Sequence, residues 1–251
     1  MNPLKLILTT LLLISTALSY GQLNNTSEET FNGYDGEWNS TTLKKAKYFT
    51  RHKKMNDTCW QWDTYNAYGP LMRSQQFSDE NSTKAHGRLV TYDKDGYSDS
   101  LCYFSNGLPH GNWYVTTDSG QVQQTYNMGV LVSTKRLEKK KDPKQIDSIR
   151  NDEKDATFPG GDVAWQRYVN KNLEYPKRAV KARMQGSVIV NFVIFTTGNV
   201  GEYFLYHSVE YTLDEVALRI IRDSPMWTPA FQGSKLVKSY KRQAINFGLQ
   251  R

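Results

Sequence analysis

A nine-residue run of β-branched and aromatic residues, Ser187 to Phe195, lies between two stretches whose apolar residues recur at helical spacing. That alternation of periods confines the C-terminal part of the chain to a small α+β unit. Phe158-Pro159-Gly160-Gly161 ends what precedes it, and Asp162 is placed to accept from the free N–H groups of a helix start. Ala164, Trp165, Tyr168, Val169 and Leu173 then form one stripe, which Tyr175-Pro176 stops because a residue before proline is driven out of the helical region. Thr197-Gly198-Asn199 turns the β run back into Val200 to His207, so the pair reads as a hairpin. Thr212-Leu213-Asp214-Glu215 has the form of a capping box, ahead of a second stripe of Leu213, Val216, Ala217, Ile220 and Ile221. Pro225 ends that helix, and Trp227, Pro229 and Gly233 lead into a last strand, Leu236 to Phe247. Val237, Ile245 and Phe247 share one face of it by period two, while its centre, Lys238 to Gln243, is polar. A strand of that kind belongs at a sheet edge.

In their order and spacing these residues resemble the C-terminal domain of TonB proteins, the energy transducers of the Gram-negative outer membrane. The resemblance is carried by Phe158-Pro-Gly-Gly161, Tyr175-Pro176, Gln185-Gly186, Phe192-Val193, Leu213-Asp214, Ala217-Leu218-Arg219, Trp227, Pro229-Ala230, Gly233 and Ile245-Asn246-Phe247. The chain departs at Ala244, where the family often has a proline. The resemblance implies a two-helix, three-strand antiparallel domain over 158–251, which binds an extended peptide of an outer-membrane receptor by adding it to the last strand. The peptide-binding residues expected on that basis are Glu174, Tyr175, Pro176, Lys238, Ser239, Tyr240, Lys241 and Arg242. An unpaired edge also suits strand addition on physical grounds alone, and Lys238, Lys241 and Arg242 would favour an acidic or polar peptide; edge cations equally serve to prevent aggregation.

The chain opens with Lys5 and a charge-free run of thirteen residues, Leu6 to Leu18, which fits a signal peptide over 1–21 with cleavage before Gln22. The run is shorter than the roughly 20 apolar residues of a membrane span. An intact TonB transducer, by the same resemblance, carries a Ser and a His on its first helix and a long Pro-rich spacer. The first segment here has no His and the whole chain has 8 Pro, so an inner-membrane motor complex is not an expected partner. Residues 22–37 are polar and read as a disordered mature N-terminus. From 38 to 135 the sequence echoes itself at a period of 24, with His86-Gly87 and His110-Gly111 each heading a strand–turn–strand pattern that ends at Gly96 and Gly120. This resembles MORN-type repeats and implies stacked β-hairpins. The fold class expected is therefore α+β, a TonB-like domain behind an all-β repeat domain, joined by a charged linker over 136–157 that lets the two move independently.

Residues 156–251 carry 13 Lys+Arg against 7 Asp+Glu, or +6, while residues 1–155 carry 19 against 18, or +1. No nucleic-acid motif accompanies that charge, and a solvated basic face is the default, with peptidoglycan as a further candidate partner. Cys59 and Cys102 lie in the repeat region of an exported chain, and whether they pair is open. His86 and His110 read as repeat-turn residues, because no Cys or carboxylate recurs with them at ligand spacing; no metal or cofactor is expected. The four His are scattered at 52, 86, 110 and 207, and no catalytic motif is present, so the chain reads as a non-catalytic protein of the periplasm or cell envelope. The alternatives are a membrane-anchored transducer, should the leader stay uncleaved, and a structural or glycan-binding envelope protein.

Overall fold

A computed structural model describes residues 29–137 and 153–249. The leader and most of the charged segment lie outside the described residues. Eleven strands come first: β1 (Glu29–Tyr34), β2 (Ser40–Thr41), β3 (Tyr48–Asn56), β4 (Cys59–Asn66), β5 (Leu71–Phe77), β6 (Ala85–Tyr92), β7 (Ser98–Ser105), β8 (Leu108–Pro109), β9 (Gly111–Thr117), β10 (Gly120–Asn127) and β11 (Val130–Arg136). They form one antiparallel sheet in the order β11-β10-β9-β7-β6-β5-β4-β3-β1-β2, with β8 paired to β7. The sheet begins at Glu29, inside the stretch expected to be disordered, because β1 pairs with β3 over six residues and Phe31 packs against the core.

The internal echo has a geometric basis. Asn106-Gly107 and Met128-Gly129 are two-residue turns with φ positive at both positions, the form whose twist matches hairpin strands. In each, the first turn N–H donates to a histidine Nδ1, Asn106 to His86 at 3.3 Å and Met128 to His110 at 3.4 Å. The paired histidines lock the turns that close β7–β8 and β10–β11.

The second part comprises β12 (Glu153–Lys154), α1 (Gly161–Asn172), α2 (Lys177–Lys181), β13 (Gly186–Ile194), β14 (Val200–His207), α3 (Tyr211–Arg222), β15 (Ala230–Gln232), β16 (Lys235–Val237) and β17 (Ser239–Phe247). Its main sheet has the order β14-β13-β17, all antiparallel, and β12-β15-β16 make a second small sheet. The hairpin and both apolar stripes form as expected: Trp165 and Val169 are buried on α1, and Leu213, Val216, Ala217, Ile220 and Ile221 on α3. Four local expectations give way. α1 is preceded by Gly160 with no side-chain cap, and Asp162 lies in its first turn. α3 is capped by Glu210, whose carboxylate accepts from the Thr212 N–H (2.8 Å) and hydroxyl (2.6 Å), so the capping box does not form. The last strand is broken at Lys238, since Lys235–Val237 turns back on β15 through Gly233-Ser234. Residues 153–157 are not linker: Glu153–Lys154 pairs with β15, and Thr157 bridges Thr228.

The largest correction concerns independence. One apolar core contains Phe49, Tyr65 and Leu71 of the first part together with Val190, Phe192, Leu213 and Ile245 of the second. Tyr211, the first residue of α3, stands edge-on to Phe31, Phe49 and Tyr65 at 5.7, 5.5 and 5.4 Å, a favoured aromatic geometry. Two chain halves that share a core in this way cannot move as tethered bodies. The cysteines are both free. Cys59 opens β4 and Cys102 lies in β7, three strand spacings or about 14 Å away, where a bridge needs Cα atoms within about 7 Å. They also face opposite ways: Cys59 has the parity of Asp63 and Tyr65, toward α3, whereas Cys102 packs with Leu89 and Trp113 on the reverse side.

Candidate functional site

The site is built on β17, which pairs with β13 over nine consecutive residues without a bulge. Ser239, Ile245 and Phe247 are buried on the inner face, and the two apolar ones, Ile245 and Phe247, anchor the strand. On its other long side β17 has no neighbouring strand among the described residues. Tyr240 is 80% exposed there, the most exposed large apolar residue of the sheet.

The cations expected to select a peptide have partners in the chain. Lys238 Nζ lies 3.6 Å from Glu202 and 4.8 Å over the Phe195 ring. Lys241 Nζ is 3.3 Å from Asp155. The Arg242 guanidinium sits 3.4 Å from the centre of the Tyr206 ring, and its Nε donates to Asn191 Oδ1 at 2.8 Å. The Lys238 and Arg242 contacts stretch side chains across β13 and β14 on the exposed face of the sheet, whereas Lys241, by period two, lies on the inner face with Ser239 and Ile245. Glu174, Tyr175 and Pro176 lie in the turn between α1 and α2, at the other end of the edge. Tyr175 packs edge-on to Phe247 at 5.8 Å and its hydroxyl donates to the Met184 carbonyl at 2.5 Å, while Pro176 precedes α2 and Glu174 is exposed. Tyr240 and Phe247 are seven residues apart, about 24 Å along a strand. The expected residues thus mark the two ends of one edge and do not converge on one spot.

The opposite edge, β14, is sealed by residues that sequence reasoning did not single out. Arg88 of β6 donates to the carbonyls of Tyr203 (2.9 Å) and Glu202 (3.4 Å), and the Tyr92 hydroxyl donates to that of Leu205 (3.0 Å). At the strand end Ser208 N–H donates to the Gly96 carbonyl (2.9 Å), and Tyr97 stacks on His207 at 4.1 Å. Arg51 of β3, 2% exposed, reaches Glu29 (3.0 Å), Asp63 (3.5 Å) and, on α3, Glu215 (2.7 Å). Burial alone would lower the Arg51 pKa, but the carboxylates of Glu215 and Asp63 outweigh it and hold the guanidinium charged. Ser208 Oγ links the halves directly, accepting from the Leu71 N–H (2.7 Å) and donating to Asp214 Oδ2 (2.5 Å). Asp214 is fully buried, and loss of solvation pushes its carboxyl up to about 8, against the lowering effect of its bonds to Ser208 and Val209. Alternating apolar spacing could not have revealed Arg51 or Arg88, because the contacts that join them to the second part, Arg51 to Glu215 and Arg88 to the Tyr203 carbonyl, each span more than 100 residues.

The small sheet therefore has one edge closed by the rest of the chain and one left open. A family model described as the Gram-negative bacterial TonB protein C-terminal matches residues 171–249. The TonB match takes in the last turn of α1, α2, β13, β14, α3 and β17, and so contains the open edge and both groups of residues expected along it. The eleven-stranded sheet lies outside it. No curated protein and no solved structure matches the chain.

Proposed function

We propose that the protein is a non-catalytic component of the Gram-negative cell envelope that takes an extended peptide of an outer-membrane receptor, or of another envelope protein, onto the outer edge of β17. The observation that carries this reading is the asymmetry of the small sheet. The carbonyls of β14 are satisfied by Arg88 and Tyr92, whereas β17 is left with no strand beside it among the described residues. A row of free donors and acceptors binds an added strand through its main chain, and the flanking side chains set the sequence. The TonB match supports the same partner class. Because Lys238, Lys241 and Arg242 are already engaged, selection falls mainly to Tyr240 and less to net charge than the sequence suggests.

Ala244 occupies the position where TonB domains often carry proline, so the N–H of residue 244 points away from β13. By period two, that of Tyr240 does the same. Tyr240→Pro then removes an outward donor and leaves the β13 pairing in place. The test is fluorescence anisotropy with labelled ten-residue peptides from the periplasmic segments of the host's outer-membrane receptors. Binding by the wild-type chain and its loss in a folded Tyr240→Pro variant are expected; equal binding by both would refute strand addition at this edge. Residues 1–21 act as an export signal in this reading. A mature chain beginning at Gln22 in the periplasmic fraction fits it, and an intact Met1 in the inner membrane identifies an anchored transducer.

A further inference from the structure

Trp38 lies in the loop between β1 and β2 with φ at +66°. Bulky side chains avoid that conformation, which costs on the order of 1–3 kcal/mol and persists only where the surroundings impose it. Here they do. The Asp35 carboxylate accepts from the backbone N–H groups of Glu37 (2.9 Å) and Asn39 (3.0 Å) and from the Asn39 amide (3.3 Å). The Asp35 N–H donates to the Asn39 carbonyl at 3.0 Å, and the Trp38 N–H to that of Asp35 at 3.3 Å.

The strained backbone lays the indole flat on the Tyr48 ring, with centroids 4.6 Å apart and planes 5° from parallel. Tyr34 leans against it at 5.8 Å. One face of the indole is thereby used, and Trp38 stays 48% exposed. Among the described residues the indole N–H has no hydrogen-bond partner. Glu37 and Asn39 flank Trp38 in the chain, and Lys47, which precedes Tyr48, has its ammonium 6.0 Å from the Tyr48 centroid. A loop locked by five hydrogen bonds so as to hold one bare aromatic face outward is preorganised for a ligand that stacks.

We propose that Trp38, backed by Tyr48, is a stacking site for a pyranose ring of a β-linked glycan. A sugar ring fits the surface on two counts. It offers one C–H-rich face to the indole, and its hydroxyls at the ring edge suit the unpartnered indole N–H. An apolar side chain or helix would need walls, and the platform has none. The proposal is independent of strand addition, since Trp38 lies in a loop of the eleven-stranded sheet and β17 belongs to another.

The test is calorimetric titration with the soluble β-1,4-linked tetramer of N-acetylglucosamine, on the wild-type chain and on Trp38→Phe and Trp38→Gly. Glycine tolerates φ at +66° without strain, so Trp38→Gly removes the platform while relieving the backbone, and its melting temperature verifies that the loop is intact. Expected are binding by the wild type, retention within a few-fold in Trp38→Phe, and a loss of at least tenfold in Trp38→Gly. No wild-type binding, or equal binding by Trp38→Gly, would overturn the proposal. Binding of a proline-rich decapeptide in place of the tetramer would overturn the glycan assignment.

Discussion

Replacing Arg51 with methionine tests the joint between the two halves most directly. The guanidinium is nearly fully buried and is shared by three carboxylates, of which Asp63 is itself 2% exposed and Glu215 comes from the far half of the chain. Methionine keeps most of the volume and removes the charge. Asp63 then retains only its hydrogen bonds, from Gln61 Nε2 at 2.9 and 3.0 Å and from the Ser74 side chain, against the cost of burying a carboxylate. Breaking one side of a buried pair costs about 3–5 kcal/mol. At about 2–4 °C per kcal/mol for a chain of this size, that is a fall of roughly 6–20 °C in Tm. Glu215 is 31% exposed, so Glu215→Gln on the same bridge is screened and should cost no more than about 1 kcal/mol. Urea denaturation followed by tryptophan fluorescence gives both numbers. A cost below 1 kcal/mol for Arg51→Met, or equal costs for the two variants, would refute the view that an uncompensated Asp63 is what the arginine prevents.

Other outcomes follow from the same seam. The Asp214 carboxyl, raised to about 8 in the fold from about 3.9 in the unfolded chain, makes the native state bind a proton that the unfolded state releases. Its contribution is fully present below pH ~4 and is lost as pH rises toward 8, by up to ~1.4 kcal/mol per unit. Stability measured between pH 5 and 8 should accordingly fall more steeply in the wild type than in Asp214→Asn, and parallel curves would contradict the assignment. Gly96 has φ at +87°, and a Cβ there would collide with the Ser208 carbonyl and Pro70. Gly96→Ala should cost at least ~1–3 kcal/mol and lower the protection of the His207 and Ser208 amides in hydrogen exchange. Both thiols should titrate in unfolded, unreduced protein, with Cys59 reacting first in the native state, because burial pushes the Cys102 thiol up to about 12.

The local grammar of the C-terminal part was legible because its signals are short-range. Proline at 176 and 225, turn residues at 197–199 and two helical stripes placed α1, the β13–β14 hairpin and α3 within a residue or two. What the sequence hid depends on distant partners. Glu215 had a plausible local use as half of a capping box, and only the folded chain shows it committed to Arg51, 164 residues earlier. Glu210 took the cap instead, since it directly precedes the helix and its carboxylate reaches Thr212. Polar residues before Trp38 read as disorder by composition, yet pairing with β3 gives Glu29–Tyr34 its hydrogen bonds and Phe31 a place against Phe49. The open edge was legible, through the polar centre of the last strand; the closure of β14 was not, because Arg88 and Tyr92 carry no mark of what they cover.

That closure also governs how copies of the chain can meet. A sheet with two bare edges can join end to end without limit, the left edge of one molecule on the right edge of the next. With β14 occupied from within, the small sheet has lost one of the two surfaces such a filament needs. It can accept a single foreign strand, at one per chain, or meet the same edge of a second chain about a two-fold axis, and either event terminates growth.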